Sequence, residues 1–564
     1  MGIGQGLLGL NRDWIPPKNA DGWNAPVVPT IPVPPAEPIW GGMPPDSACP
    51  GGTAEPTLNL SFEGIPDPRN VIPPDTMGAV GPDHVVTHSN SDIRIYSRTG
   101  QAPAWTTMTA FWRAAGAESP CDPKISFDQL SGRWIAACIE CGNLQNSRMF
   151  LGVSATSNPT GTWRFWSFRS DLLGGTWADY PQFGMNQTWI AMTANMFPTA
   201  GGPPVGSKMW VIDKSTVLTP GVLKIRVFWT GFDGGDGWKG FTIQPCVTFD
   251  SGEQYLYLAD SNLLNGTTPA LRISRITGTG PAPVWEPVPG SNTGVGGAFI
   301  NGLPPINPRG VQSGKAEQRG ETRGLEAIGS RLLNAVYRNG RIWAAYDAFL
   351  PETGDYDRIG AGWVQLDPMA MPSPVVQAGI IEAGSHTYHI YPSIAVNCAN
   401  DVVIGFTRTD PTRYPEGAYT TRLATDVPGT MRAVRLLKEG VDSYHKTFGG
   451  TRNRWGDYSA TVVDPRDDLS FWTVQEYAMA RGGGTNDYGR WGTWWGWLQV
   501  KRTGDCNCDG VANTGDINSF VLALSDPQGY QTTYPDCNWQ NADCNLDGLV
   551  DFNDINAFVG RLSR

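Results

Sequence analysis

The most specific chemistry in this 564-residue chain lies near its C-terminus, where oxygen-bearing side chains recur at fixed intervals. Across residues 505–516, Asp505, Asn507, Asp509, Asn513 and Asp516 fall at positions 1, 3, 5, 9 and 12, with Gly510 at position 6 and the Val511 carbonyl at position 7. The arrangement returns 38 residues later as Asp543, Asn545, Asp547, Asp551 and Asp554, with Gly548 at the turn and the Leu549 carbonyl beside it. Hard oxygens at this spacing wrap a calcium ion, and glycine allows the sharp turn between them. Three or more carboxylates in one loop repel each other until a cation arrives, so two calcium ions are expected here. An apolar run follows each loop, predicting short amphipathic helices over 517–524 and 555–562. Cys506, Cys508, Cys537 and Cys544 share the segment and predict two internal disulfides, with three pairings open. In so small a module, such staples and metals stand in for a core.

The paired EF-hand-type loops and their helices resemble the dockerin family, over about 60 residues. Type I members carry two such loop-plus-helix repeats and dock onto cohesin domains of polysaccharide-degrading assemblies. The resemblance implies calcium in both loops and a cohesin-like or cell-surface protein as partner. Family members often place a Ser/Thr pair at loop positions 10 and 11 to contact cohesin. Here those positions read Thr514-Gly515 and Phe552-Asn553, so an anchoring calcium module without cohesin docking stands beside the docking reading.

A second set of candidates comes from the middle of the chain: Asp75, Asp122, Asp179, Tyr180, Gln244, Glu321, Arg323, His389, Tyr391, Arg454, Asp457 and Tyr458. Each sits just before an apolar hairpin, and in a propeller such positions converge on one rim of the central channel as a polar funnel for a glycan. A lyase acting on uronic acids would use His389 or Tyr391 as base, with Arg323 or Arg454 neutralising the sugar carboxylate. A glycosidase would need two carboxylates flanking the bond, with Asp179 and Asp457 as candidates. The plainer alternative is that these aspartates cap turns and that Arg454-Trp455 and Arg490-Trp491 are packing stacks. His386 and His389 are close enough in sequence to share a metal, but no third histidine or cysteine stands near them. Cys138 and Cys141 have zinc-like spacing without a matching second pair. There is no Gly-x-Ser-x-Gly elbow, phosphate loop or dinucleotide fingerprint, and sialidase Asp-boxes are not evident.

These candidates need a frame. The phrase Asp122-Pro123 to Asp128, a turn, then Arg133-Trp134 recurs from Tyr180, Gln244 and Tyr391, and more loosely from Thr76, Leu332 and Ser459. Two further strand-like runs follow each hairpin, and four antiparallel strands make one propeller blade. The last copy lacks a fourth strand while the run 58–62 lacks a partner, so the N-terminal strand is expected to close the last blade. The fold class read from the sequence is all-β: a seven-bladed β-propeller over 57–502, with a small α-helical calcium module over 503–564. Residues 1–56, with 12 prolines, read as an extended arm.

Composition agrees with this frame. Gly 69 and Pro 46 make up about a fifth of the chain and charged residues 17%, which excludes a helical bundle. Its 23 Trp and 20 Phe supply the packing between blades. Of the net charge of −11, residues 505–564 hold −7, from nine Asp and two Arg. The chain has no basic run, so no nucleic-acid partner is expected, and no apolar stretch long enough to span a membrane. Ten cysteines suit an oxidising, extracellular setting, although the N-terminus lacks the basic region of a signal peptide. Two functions follow. One is an extracellular protein acting on or binding polysaccharide, with the calcium tail as its attachment. The other is a non-catalytic surface or matrix protein whose propeller binds a protein or glycan.

Overall fold

Runs of apolar residues bounded by Gly, Pro and Asp turns pair into antiparallel sheets of four strands. The computed structural model describes residues 49, 55–101, 104–219, 221–229, 240–261, 271–288, 314–351, 355–371, 373–482, 488–509, 511–535 and 537–562. The first unit is Met77–Val80, His84–His88, Asp92–Ser97 and Ala104–Thr107; the second is Pro120–Asp128, Arg133–Glu140, Arg148–Ser154 and Trp163–Arg169. The third is Thr176–Met185, Trp189–Pro198, Gly206–Asp213 and Ile225–Trp229. Gln244–Pro245, Leu256–Ser261, Leu271–Thr279 and Ala282–Pro287 form the fourth. The fifth is Leu332–Arg338, Arg341–Leu350, Arg358–Leu366 and Val375–Ile381; the sixth is Tyr388–Val396, Val402–Asp410, Arg413–Arg422 and Arg435–Lys438. A last unit takes Ala460–Val463, Phe471–Met479 and Arg490–Gln499 from the end of the ring and Thr57–Pro66 from its beginning.

That last pairing is antiparallel along most of its length, from Thr57 opposite Gln499 to Pro66 opposite Gly492. The first strands of successive units lie side by side, and Ala460–Val463 returns to Met77–Val80, so the units close into a propeller-like ring. Closure leaves no open seam of unpaired backbone groups between first and last unit. Val247–Thr248 adds a short parallel bridge from Met185 to Val336 and Tyr337, and the hairpin Gly314–Gln318 with Glu321–Ala327 packs on the sixth unit.

Strands buried on both faces read as near-continuous apolar runs rather than alternating ones. Tyr388–Val396 is buried at every position, and Trp189–Pro198 at all but the last. Large aromatic side chains fill the space within and between units: Trp134, Trp189, Trp343, Trp363, Trp472 and Trp495 are all under 2% exposed. The rings of Trp472 and Trp497 stack at 5.2 Å. Gly78 makes this packing possible, because a Cβ there would stand 2.5 Å from the Trp495 indole of the neighbouring unit.

Within residues 1–56, Cys49, Glu55 and Pro56 are described; the rest of the expected arm lies outside the described residues. Cys49 is disulfide-bonded to Cys398, and Glu55 takes hydrogen bonds from Thr421, Arg432 and Arg435, all of the sixth unit or its loops. Cys121 pairs with Cys141, so the Cys138–Cys141 spacing marks a disulfide partner and a separate buried thiol, not a zinc pair.

After Gln499 the chain forms a small helical body. Ile517–Ser525 and Ile555–Leu562 follow the two acidic loops, with Pro527–Thr533 between them. The Phe520 and Phe558 rings stack at 3.9 Å and join the two loop-helix repeats face to face. Cys508–Cys537 is bridged, whereas Cys506 and Cys544 are separate buried thiols in the same core, one disulfide fewer than the sequence predicts.

Candidate functional site

The inner strands of five units carry a repeated backbone feature at or near their starts. Asp75, Asp122, Tyr180, Thr242 and Tyr391 all adopt left-handed φ values between 50° and 57°, although none is glycine. Non-glycine residues avoid this region, and where held there they cluster at sites that over-determine them. Register shifts follow directly, between Cys121 and Lys124, Asp179 and Gln182, and Ile390 and Ser393. Such bulges re-aim side chains. Here they help to bring side chains of five units to one end of the ring axis.

Asp75, Asp122, Asp179, Tyr180, Tyr391, Arg454, Asp457 and Tyr458, all expected at this rim, do come together. Arg454 Nη2 donates to Asp457 Oδ2 at 2.8 Å, and its Nε lies 3.8 Å from Glu326 Oε2. The Tyr180 hydroxyl donates to the Asp457 carbonyl at 3.0 Å, that of Tyr391 to the Glu326 carbonyl at 2.5 Å, and that of Tyr458 to Asp122 Oδ2 at 3.4 Å. Asn90 links two units: its amide donates to Asp75 Oδ2 at 2.6 Å, while its oxygen accepts from the Asp122 N–H at 2.8 Å. The Lys124 ammonium lies 3.1 Å from the Tyr458 ring centre, and the Arg331 guanidinium 4.5 Å from that of Tyr180. Among the described residues, Asp75 Oδ1, Asp347 Oδ2 and Asp457 Oδ1 are buried without a hydrogen-bond partner.

Crowding and poor hydration raise several of these carboxyls above the ordinary carboxylate range. Burial, then the Asp179 and Asp457 charges, pushes Asp122 up to about 7. Burial and Asp457 raise Asp179 to about 6, against the lowering pull of Arg454 and Arg331. Asp75 is raised well above the usual carboxylate range by burial and by Asp457 and Asp122. Burial alone dominates for Asp347 and Glu476, each raised to about 8. Asp75 and Asp122 are enclosed, whereas Asp179 is half-buried and marks the open side of the group.

Four expected residues take partners elsewhere. His389 is buried against Phe406, with Nδ1 2.9 Å from the Ile381 carbonyl. His386 instead pairs with Glu317 at 2.7 Å, so the two histidines do not converge on a common ligand. Arg323 Nη1 donates to the Gly450 carbonyl at 3.3 Å, and Glu321 accepts from Tyr488 and His445. Gln244 lines the cavity beneath the cluster. The lyase reading therefore keeps Tyr391 and Arg454 at the rim and loses His389 and Arg323.

Below the carboxylates the axis narrows to a cavity of about 90 Å³, walled largely by Val80, Phe127, Phe183, Leu333, Val336 and Val463. Small-molecule sites usually offer roughly 300–1,000 Å³. A cavity of this size does not admit a sugar polymer.

The sequence reading missed Lys124, Arg331, Glu326, Asp347 and Glu476. Three of these carried a visible signal: Lys124, Asp347 and Glu476 are charged residues inside strands rich in apolar side chains, and such residues are almost never fully buried unless paired or functional.

The two C-terminal loops share one internal bonding scheme. Asp516 accepts from the Asn507 and Asn513 N–H groups, and Asp554 accepts from those of Asn545 and Asp551. Asp509 accepts from Val511 N–H, as Asp547 does from Leu549. The first and last aspartates, Asp505, Asp516, Asp543 and Asp554, are buried, while the middle donors face solvent. Such all-oxygen sets are the kind a hard divalent cation takes. Among the described residues, the tightest grouping of Cys, His, Asp and Glu is Cys121, Asp122 and Cys141, whose cysteines are already joined. No helix among the described residues is long and apolar enough to cross a membrane.

No family model matches the chain, and no curated protein does. Among solved structures it is similar to a Trypanosoma rangeli sialidase in complex with the inhibitor DANA, at 7% identity over 78% of this chain and 60% of that one, TM-score 0.34. It is similar to an endo-arabinase from Bacteroides thetaiotaomicron at 14% identity, over 55% of this chain and 95% of that one, TM-score 0.28. A cobalt-substituted Synechocystis ACO matches at 10% identity, over 64% of this chain and 71% of that one, TM-score 0.36. At these identities the chemistry has to be read from this chain's own residues.

Proposed function

We propose that the chain is an extracellular seven-bladed β-propeller that binds and hydrolyses a polysaccharide across the mouth of its ring, attached through a dockerin-like module that holds two calcium ions. The observation that carries this reading is that the half-buried Asp179 shares the carboxylate cluster with Asp457, which Arg454 holds. Glycoside hydrolysis needs one carboxyl that still carries its proton and a second carboxylate across the bond. Asp179, raised to about 6 by burial and Asp457, is the proton donor in this scheme. Asp457, held by Arg454 at 2.8 Å, is its partner, and acts as base or nucleophile. Tyr180 and Tyr458, whose rings lie 4.8 Å apart, form the floor beside them. In the C-terminal module, Asp505, Asn507, Asp509, Val511, Asn513 and Asp516 hold one calcium ion, and Asp543, Asn545, Asp547, Leu549, Asp551 and Asp554 the other. Three disulfides are at home in the oxidising surroundings of an exported protein.

The narrow, apolar axis favours a second reading, in which the same rim binds a glycan or protein without chemistry. Incubation of the purified chain with neutral and acidic polysaccharides, followed by reducing-end and unsaturated-product assays, separates the two. Reducing ends that vanish in Asp179→Asn and Asp457→Asn support hydrolysis. Retention on a polysaccharide column without product supports the binding protein, and unsaturated product would revive the lyase. Neither binding nor product on any glycan refutes the proposal.

A further inference from the structure

Two consecutive cations, Lys501 and Arg502, follow the Arg490–Gln499 strand and lead into the C-terminal module. Each places its charge on the first aspartate of a different acidic loop. Lys501 Nζ lies 2.6 Å from Asp543 Oδ2, with the two side chains 11% and 3% exposed. Arg502 Nη1 stands off at 3.6 Å from Asp505 Oδ2. Arg502 also seats the module on the end of the ring: its N–H donates to Asn541 Oδ1 at 2.8 Å. Beside them a cavity of about 170 Å³ opens between Arg98, Asp467 and Trp497 of the ring and Cys508 and Asn538 of the module.

Resting on the calcium reading above, we propose that Lys501 is a built-in counterion of the second loop, which calcium must displace. In the metal-free protein its ammonium neutralises Asp543, a buried carboxylate that also accepts from the Asp547 N–H at 3.2 Å and the Gly548 N–H at 3.1 Å but has no other cation beside it among the described residues. An ion that takes Asp543 as ligand brings two positive charges to the same carboxylate. In so enclosed a place the ammonium and the ion repel strongly, and Lys501 swings out towards the junction. The second loop therefore takes its ion more weakly than it would without Lys501. Filling the second removes a contact that fixes the module to the ring, so calcium occupancy sets how tightly the two parts are joined.

Calorimetric titration of calcium into the metal-stripped full chain tests this with Lys501→Met, Lys501→Arg and Lys224→Met. Lys224 is exposed on the third unit, so its substitution makes the same charge change far from the loops. Lys501→Met is expected to tighten the weaker of two sites on the order of tenfold, while Lys501→Arg and Lys224→Met stay close to wild type. Two wild-type sites whose affinities Lys501→Met leaves unchanged overturn the proposal and leave the calcium reading standing. A wild-type chain that binds no calcium overturns both. Because Lys501→Met can unfold the module by stranding Asp543, amine acetylation of the wild-type chain followed by peptide mass mapping gives an independent readout. Lys501 is expected to be protected in chelator and labelled in millimolar calcium; equal labelling in both overturns the proposal.

Discussion

Replacing Asp122 by asparagine tests whether the rim carboxylates are crowded in the way described. Asparagine tolerates the left-handed backbone at this position, where φ is 54°, and keeps an oxygen for the Tyr458 hydroxyl. In the folded chain the Asp122 carboxyl titrates at about 7 instead of its ordinary 3.8, chiefly through burial and then through Asp179 and Asp457. The folded state thus binds this proton more tightly than the unfolded state. Between about pH 4 and 7 the unfolded chain has lost the proton while the folded one keeps it, so stability falls as pH rises, and the loss is complete above 7. Taken alone, the displacement is on the order of 4 kcal/mol. Asparagine still buries a polar group, and it gives up the attraction of Arg454 and Lys124, so the net gain at pH 8 should be about 1–3 kcal/mol. Urea unfolding followed by tryptophan fluorescence at pH 4, 6 and 8 measures it. The variant should match wild type at pH 4 and exceed it increasingly towards pH 8. Parallel profiles across that range would refute the crowded-carboxylate account.

Hydrolysis by the Asp179–Asp457 pair should need Asp179 protonated, so turnover should decline on the alkaline side around pH 6, where its carboxyl titrates, and a flat profile to pH 8 would remove Asp179 as the donor. Lys446→Met strands Asp67, which accepts two 2.7 Å bonds from the buried ammonium, and should cost about 3–5 kcal/mol in urea unfolding. Gly78→Ala should destabilise by about 1–3 kcal/mol, since the added methyl meets the Trp495 ring, and a neutral effect would show the interface between first and last unit to be looser than described. A thiol-reactive dye should titrate four cysteines, 138, 246, 506 and 544, in the denatured, unreduced chain; a count of two would mean that Cys506 and Cys544 have joined. Chelation should lower the melting temperature of the C-terminal module, and an unchanged melt would argue against bound calcium.

The sequence carried the ring because its signal is local. The hairpins beginning near 122, 180 and 391 repeat a proline, an apolar alternation and a turn, and each becomes the inner pair of a four-stranded unit. The unpaired run at 58–62 pointed to its own partner, because a last unit with three strands is left with an exposed edge. The rim was half legible. Asp75 just precedes its strand and Asp122 and Tyr180 lie in the first halves of theirs, so all three could be placed by counting, whereas Asp347 and Glu476 enter from second strands whose neighbours are fixed by long-range packing alone. His389 was misleading for a related reason. It lies at the start of a strand, as Asp122 does, but the pleat turns it outward onto Phe406, and the register that decides this lies in the bulge after Ile390. Disulfide pairing was beyond reach, since Cys121 and Cys141 meet across a hairpin while Cys49 travels 349 residues to Cys398.

The way the ring is shut also determines how it would bear a pull. Arg490–Gln499, the strand from which the tail departs, is flanked by Phe471–Met479 on one side and by Thr57–Pro66 on the other. Tension arriving through an anchored tail would therefore have to shear two hydrogen-bonded ladders together, rather than peel a lone edge. A protein moored by its C-terminus against flowing liquid would keep its shape because the first and last strands of its ring are woven into one sheet.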